Sequence, residues 1–145
     1  MEIGVIELTD RIQSGKEIYK SSKKYRDLGF YVDTTLTDFF DFVKNIPYQE
    51  DRIAEIVSRP KYLFDRDKFP GLDCKKKAIL IGAWLTAHGI KWRAVAASER
   101  ADKKIHHVFI QAYIKGRYRN IDATYPYMRL FESKPKVTRA QELPR

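Results

Sequence analysis

Few residues in this chain can carry nucleophilic chemistry: one cysteine, Cys74, and three histidines, His88, His106 and His107, set among 19 carboxylates. Cys74 lies in GLDCKKKAILIGAWLTAHGI, residues 71–90, at the point where a helix should begin. Asp73 is a good N-cap, since its carboxylate can accept a backbone N–H of the first turn. Cys74, Ala78, Ile81, Gly82 and Leu85 then share one helical face. A sulfur at a helix N-terminus sits at the positive end of the dipole, which favours the thiolate. Free cysteine is also among the most buried and inert residue types. Position alone therefore leaves Cys74 as either a nucleophile or a packing residue.

A histidine oriented by a carboxylate would decide between the two. IHHVFIQAYI (105–114) alternates as a strand, with Val108, Ile110, Ala112 and Ile114 on one face. His107, Phe109, Gln111 and Tyr113 occupy the other. Lys115-Gly116 reads as a two-residue hairpin turn, and RYRNIDATYPY (117–127) as the return strand. Pairing Ile114 with Arg117 sets Phe109 opposite Asp122 and His107 opposite Thr124. Asp122 is then a diagonal neighbour of His107 on the same face, within side-chain reach. A carboxylate so placed orients an imidazole, which can then take a proton from a thiol. His106 shares the apolar face with Val108 and Ile110, and by alternation alone can equally be the ring aimed at the helix. Parity with Asp122 favours His107. His88 reads as a favourable charge at a helix C-terminus. Cys74, His106 and His107 lack the paired spacing of metal ligands, so no metal is expected. No cofactor is expected either.

The elements that must position these groups are legible in outline. Met1–Leu8 is either a short strand or an ordered arm. Thr9–Leu28, with Ile12, Ile18, Tyr19 and Tyr25 as thin apolar support, is either a helix lying on the domain or a mobile extension, broken at Gly29. DTTLTDFFDFVKNI (33–46) has a helical rhythm in Leu36, Phe39, Phe40, Val43 and Ile46, capped by Thr35 or Asp33 and followed by Pro47. Gln49–Arg59 is a second helical stretch stopped by Pro60. KYLFDRDKFPG (61–71) is an aromatic loop in which Asp65 and Asp67 serve solvation. Gly89 is a natural residue to follow the helix end at His88. KWRAVAAS (91–98) is a strand. Helices followed by an antiparallel sheet make the class α+β. The expected organisation is an extension or accessory helix over 1–30, a domain over 31–130 and a basic tail over 131–145.

Composition bounds the rest. A chain of 145 residues suits one domain. The opening lacks a basic leader and a long apolar run. No stretch approaches the roughly 20 apolar residues of a membrane helix, and a lone cysteine implies no oxidising compartment. The expectation is a soluble, intracellular protein. A net charge of +9, densest in residues 16–26, in CKKK (74–77) and in the tail, favours polyanions. No nucleic-acid motif accompanies it, so a solvated basic face is the plainer reading.

The two stretches GLDCKKKAILIGAWLTAHGI and HVFIQAYIKGRYRNIDATYP, together spanning Gly71–Pro126, resemble the transglutaminase-like branch of the papain-like cysteine hydrolases. The likeness lies in their order: an Asp-Cys pair opening a helix, a strand beginning with His, a turn, and a strand ending in Asp, a small residue and Thr. The preceding TDFFDFVKNIPYQED resembles the helix before that family's core. The resemblance implies Cys74 as nucleophile, His107 as general base and then acid, and Asp122 as the group orienting His107. The Cys74 N–H would be half of an oxyanion hole, and the reaction an acyl transfer through a thioester on a protein or peptide amide. Family members often draw the second oxyanion donor from an upstream Trp or Gln. Here Trp84 and Trp92 both lie downstream, which leaves Gln49 or Tyr48 to donate. Read from the residues alone, Tyr125 and Tyr127 either form an ordinary hydrophobic edge or wall a substrate cleft. The rival expectation is an inactive module of the same fold, docking through basic termini onto a polyanion or a larger assembly, a viral particle among them.

Overall fold

The helix that Asp73 starts packs against most of the other described elements. The structure, a computed structural model, describes residues 8–50 and 59–145, with the side chains of the first helix taken from Ser14 onward. Expectations for Met1–Leu8 and for most of Gln49–Arg59 lie outside those residues. In chain order the elements are helix α1 (Leu8–Ser22), a 3-10 segment (Tyr25–Asp33), and helices α2 (Leu36–Asn45), α3 (Pro60–Leu63) and α4 (Cys74–Ala87). Strands β1 (Trp92–Ser98), β2 (His107–Ile114), β3 (Arg117–Ile121) and β4 (Arg139–Glu142) follow. They form one antiparallel sheet in the order β3-β2-β1-β4. The α+β class thus stands.

Thr35, not Asp33, caps α2, its side chain accepting from the Asp38 N–H at 3.1 Å. Pro60 opens α3. It sits at N1, where proline loses no intrahelical hydrogen bond and its φ is already set. Gly29 interrupts the 3-10 segment at φ 59°, ψ −132°, a conformation other residues avoid.

Residues Cys74–Leu85 of α4 are buried all round, as befits a helix clad on every side. It packs against α1, the 3-10 segment, α2 and the sheet. The three lysines of CKKK are therefore not a solvated patch. Lys75 meets Glu17 of α1 at 2.7 Å, and Lys76 reaches its own cap Asp73 at 3.5 Å. Lys77, 1% exposed, donates to the carbonyls of Lys44 (3.3 Å), Ile46 (2.6 Å) and Thr124 (2.7 Å). Lysines survive at these depths because each ammonium finds an oxygen partner.

The hairpin register is the one alternation requires: Ile114 pairs with Arg117 and Ile110 with Ile121. Val108, Ile110 and Ala112 join the main core, while Val95, Ala97 and Phe109 cluster on the other face. Within residues 131–145, expected as a basic tail, β4 pairs with the edge of β1. Arg139 pairs with Ser98 and Glu142 with Val95, the Leu143 N–H donates to the Ala94 carbonyl at 2.8 Å, and the Leu143 side chain is buried. The outer edge of β1 needed a strand to satisfy its backbone groups, and one apolar anchor in a polar stretch supplied it. Residues 8–22 likewise are a docked helix. Ile18 and Tyr19 are buried, and the Tyr19 hydroxyl accepts from the Ala94 N–H at 2.7 Å. Among the described residues no helix is long and apolar enough to cross a membrane.

Candidate active site

The N-terminus of α4 is built by its cap. The Asp73 carboxylate accepts from the Lys76 N–H at 2.9 Å, and the Asp73 carbonyl from the Lys77 N–H at 3.1 Å. The Cys74 N–H, in the first helical position, has no intrahelical acceptor to reach. Just upstream, Tyr48 bridges Leu72 in parallel, with the Gln49 N–H on the Leu72 carbonyl (3.2 Å) and the Leu72 N–H on the Pro47 carbonyl (2.9 Å). Gly71 permits this approach, since a Cβ there would stand 2.5 Å from the Pro47 oxygen. The loop after α2 is thereby fastened beside the cysteine.

His107 and Asp122 meet across the hairpin. The His107 Nε2–H donates to Asp122 Oδ2 at 2.7 Å, and both side chains are buried. The Cys74 thiol lies close enough to the same imidazole to act on its charge. With Nε2 engaged, Nδ1 is the nitrogen left to face sulfur. Burial works against a charged ring, yet the Asp122 carboxylate outweighs it and holds the His107 imidazolium well above the usual range. Burial would likewise raise the Asp122 carboxyl. The His107 and Lys134 charges overcome it and hold the group well below the carboxylate range. Asp122 Oδ1 accepts from the Thr124 N–H (3.1 Å) and hydroxyl (2.5 Å), and Oδ2 also accepts from Lys134 Nζ.

Of the two expected donors, Tyr48 is the one turned inward. Its hydroxyl is buried and meets no partner in good hydrogen-bonding geometry among the described residues, although the Tyr125 hydroxyl lies close enough to act on it. Burial first, and then the nearby Cys74 and Tyr125, push the Tyr48 hydroxyl far above its ordinary range, so it remains an O–H donor. Gln49 is exposed. Lys77 ties this neighbourhood together. Its three carbonyl acceptors belong to the end of α2, the turn leading to Tyr48, and Thr124 beside Asp122.

His106 takes a different part. The Glu99 N–H donates to its Nε2 at 2.9 Å, which leaves the ring proton on Nδ1. His88 stacks on Trp84 with ring centroids 3.8 Å apart, and its Nε2–H donates to the Val32 carbonyl at 2.6 Å. It anchors the 3-10 segment rather than merely facing the helix dipole. Tyr125 and Tyr127 stack in parallel, 5.5 Å apart, in the wall of a cavity of about 430 Å³ that they share with His107, Glu132 and Lys134. The cavity reaches His107 rather than Cys74 itself. No cluster of three or more His, Cys, Asp or Glu among the described residues could hold a metal.

Sequence reasoning missed Lys77 and Lys134. The first sits three residues after Cys74, on a helix too apolar for a solvated lysine, which was a usable signal. Nothing local marks Lys134.

No family model and no curated protein matches the sequence. Among solved structures the chain is similar to a protein from Cytophaga hutchinsonii named as a candidate cysteine protease. Identity is 22% and the TM-score 0.45, over 78% of this chain and 38% of that one. The chain thus spans well under half of that protein's length.

Proposed function

We propose that this chain is a cysteine-dependent acyl-transfer enzyme of transglutaminase-like type, acting on an amide or peptide substrate. One observation carries the reading: a buried imidazole held by a carboxylate through Nε2, with the Cys74 thiol near enough to act on it. Such a group can relay a proton between sulfur and a leaving amine. In this reading Nδ1 of His107 takes the Cys74 proton while the sulfur attacks the substrate carbonyl carbon. The carbonyl oxygen becomes an oxyanion held by the Cys74 N–H and the Tyr48 hydroxyl. As the C–N bond breaks, His107 gives its proton to the departing amine, leaving a thioester on Cys74. Water or a second amine then attacks the thioester, giving hydrolysis or cross-linking. His107 takes the attacker's proton and returns it to sulfur. Asp122 keeps the ring in the tautomer and orientation that both steps need.

Labelling with iodoacetamide near neutral pH tests the reading. Folded wild type should be alkylated at Cys74, and Cys74→Ala should abolish the label. Tyr48→Phe should still label at Cys74 while turning over an activated amide or ester about 10²-fold more slowly. A folded wild type whose thiol stays unlabelled would sink it.

A second reading, docking onto a polyanion with or without catalysis, is favoured by the exposed Lys16, Lys20, Lys23 and Lys24 along and just beyond α1.

A further inference from the structure

Asp122 Oδ2 serves two cations. It accepts from His107 Nε2 and from Lys134 Nζ, whose side chain is 11% exposed. Lys134 comes from the C-terminal segment, and that segment is pinned on both sides of it. The Glu132 carbonyl accepts from Asn120 Nδ2 at 3.1 Å. The Thr138 N–H and hydroxyl donate to the carbonyls of Ser98 (2.8 Å) and Arg100 (2.6 Å), and Val137 packs on the cluster of Val95, Ala97 and Phe109. Between these anchors the chain lines the cavity beside His107 and lays the Lys134 ammonium 5.1 Å from the centre of the Phe109 ring. Thr124 occupies the other oxygen, so the carboxylate is gripped on both sides and cannot rotate away from Nε2 without breaking bonds.

We propose that Lys134 is a positioning residue of this site, sharing the Asp122 carboxylate with His107 and so weakening that carboxylate's hold on the imidazolium. A lone carboxylate against an imidazole would lock the ring in its charged form. A second cation on the same oxygen reduces that attraction and adds repulsion between the two positive groups. His107 can then surrender its proton to a leaving amine more readily. The C-terminal segment thus becomes part of the proton-transfer machinery. The proposal takes its purpose from the acyl-transfer reading, but its test does not depend on turnover.

Other titratable groups surround the pair. Cys74 and Lys77 face it from α4, and Tyr125 and Tyr127 from the turn after β3. Glu99, His106, Glu132 and Lys136 line the cavity on the open side of His107. All of them persist when Lys134 alone is changed, so a difference between variants reports the lysine.

The experiment is an NMR titration of the His107 ring in wild type, Lys134→Met and Lys134→Arg, with iodoacetamide labelling of Cys74 run in parallel. The imidazolium in Lys134→Met should lose its proton about one pH unit higher than in wild type, and Lys134→Arg should return it near the wild-type value. Lys134→Gln, which keeps a neutral donor for Asp122, should show the same rise and serves if the Met variant does not fold. An unchanged or lower midpoint in the folded Met or Gln variant overturns the proposal, even where Cys74 labels normally. A shifted His107 beside an unlabelled Cys74 upholds the role of Lys134 and overturns the acyl-transfer reading instead.

Discussion

His107 and Asp122 are each buried, so their protonation is linked to folding. The folded His107 is raised to about 10, above its unfolded value of about 6.5. Its stabilisation is complete below pH 6.5 and is lost as pH rises towards 10. Asp122 is held below its ordinary value of 3.8, so its stabilisation is complete above about pH 4 and is lost as pH falls further. Both contributions are full only between about pH 4 and 6.5. Lys77 acts in the opposite sense. Burial lowers it to about 8, so between 8 and 10.5 the unfolded chain binds more protons and this group favours folding as pH rises. Wild type must therefore be compared with a variant, not read alone. Asp122→Asn should cost about 3–5 kcal/mol at pH 6, and the difference should shrink steadily towards pH 9. Urea denaturation of both proteins at pH 5, 7 and 9 checks this. Stability curves that run parallel would mean that the pair is not the linked group.

At the scale of elements, the site depends on how closely α1, α4 and β1 meet. Gly82 is the contact. A Cβ there would stand 2.7 Å from both Ser22 Oγ and the Trp92 ring, two groups that are themselves committed. Ser22 donates to the Ile79 carbonyl, and Trp92 Nε1 donates to the Thr86 hydroxyl. Gly82→Ala should gain helix propensity yet lose about 1–3 kcal/mol to overpacking, read as a lower urea midpoint at unchanged slope. A midpoint equal to or above that of wild type would show that the helices have room to separate. The α4 boundaries were legible because Asp73 and Gly89 are strong local signals. The end of β3 was not. Alternation runs on through Tyr127, but the chain leaves the sheet after Ile121, where the Asp122 carboxylate turns to its own Thr124 and to His107. Strand β4 was invisible because RAQE has no alternating apolar pattern, and only the open edge of β1 makes it a strand.

At the scale of the whole molecule, the net charge of +9 is unevenly available. The CKKK lysines are spent on internal partners and Lys134 on Asp122, whereas Lys16, Lys20, Lys23, Lys24 and Arg26 remain exposed. If that stretch engages nucleic acid, binding to duplex DNA should weaken with salt at a log–log slope of about −3 to −4, one unit for each neutralised phosphate. Reversing Lys16 and Lys20 to Glu should lower the slope by about 2, and Cys74→Ala should leave it unchanged. No binding at 50 mM salt would leave these lysines as a solvated face.

By itself the sequence determined the elements whose signals are local: the cap at Asp73, the α4 span, the turn at Lys115-Gly116 and, through the period of two, the parity that sets His107 with Asp122. Those follow from hydrogen bonds and side-chain alternation within a few residues of each other. Tertiary structure alone decided that His106 accepts from the Glu99 N–H, that three lysines lie inside, and that a polar C-terminal stretch delivers a cation to the Asp122 carboxylate. Burial and long-range charge pairing depend on what the rest of the chain packs against each group, and no local pattern encodes that.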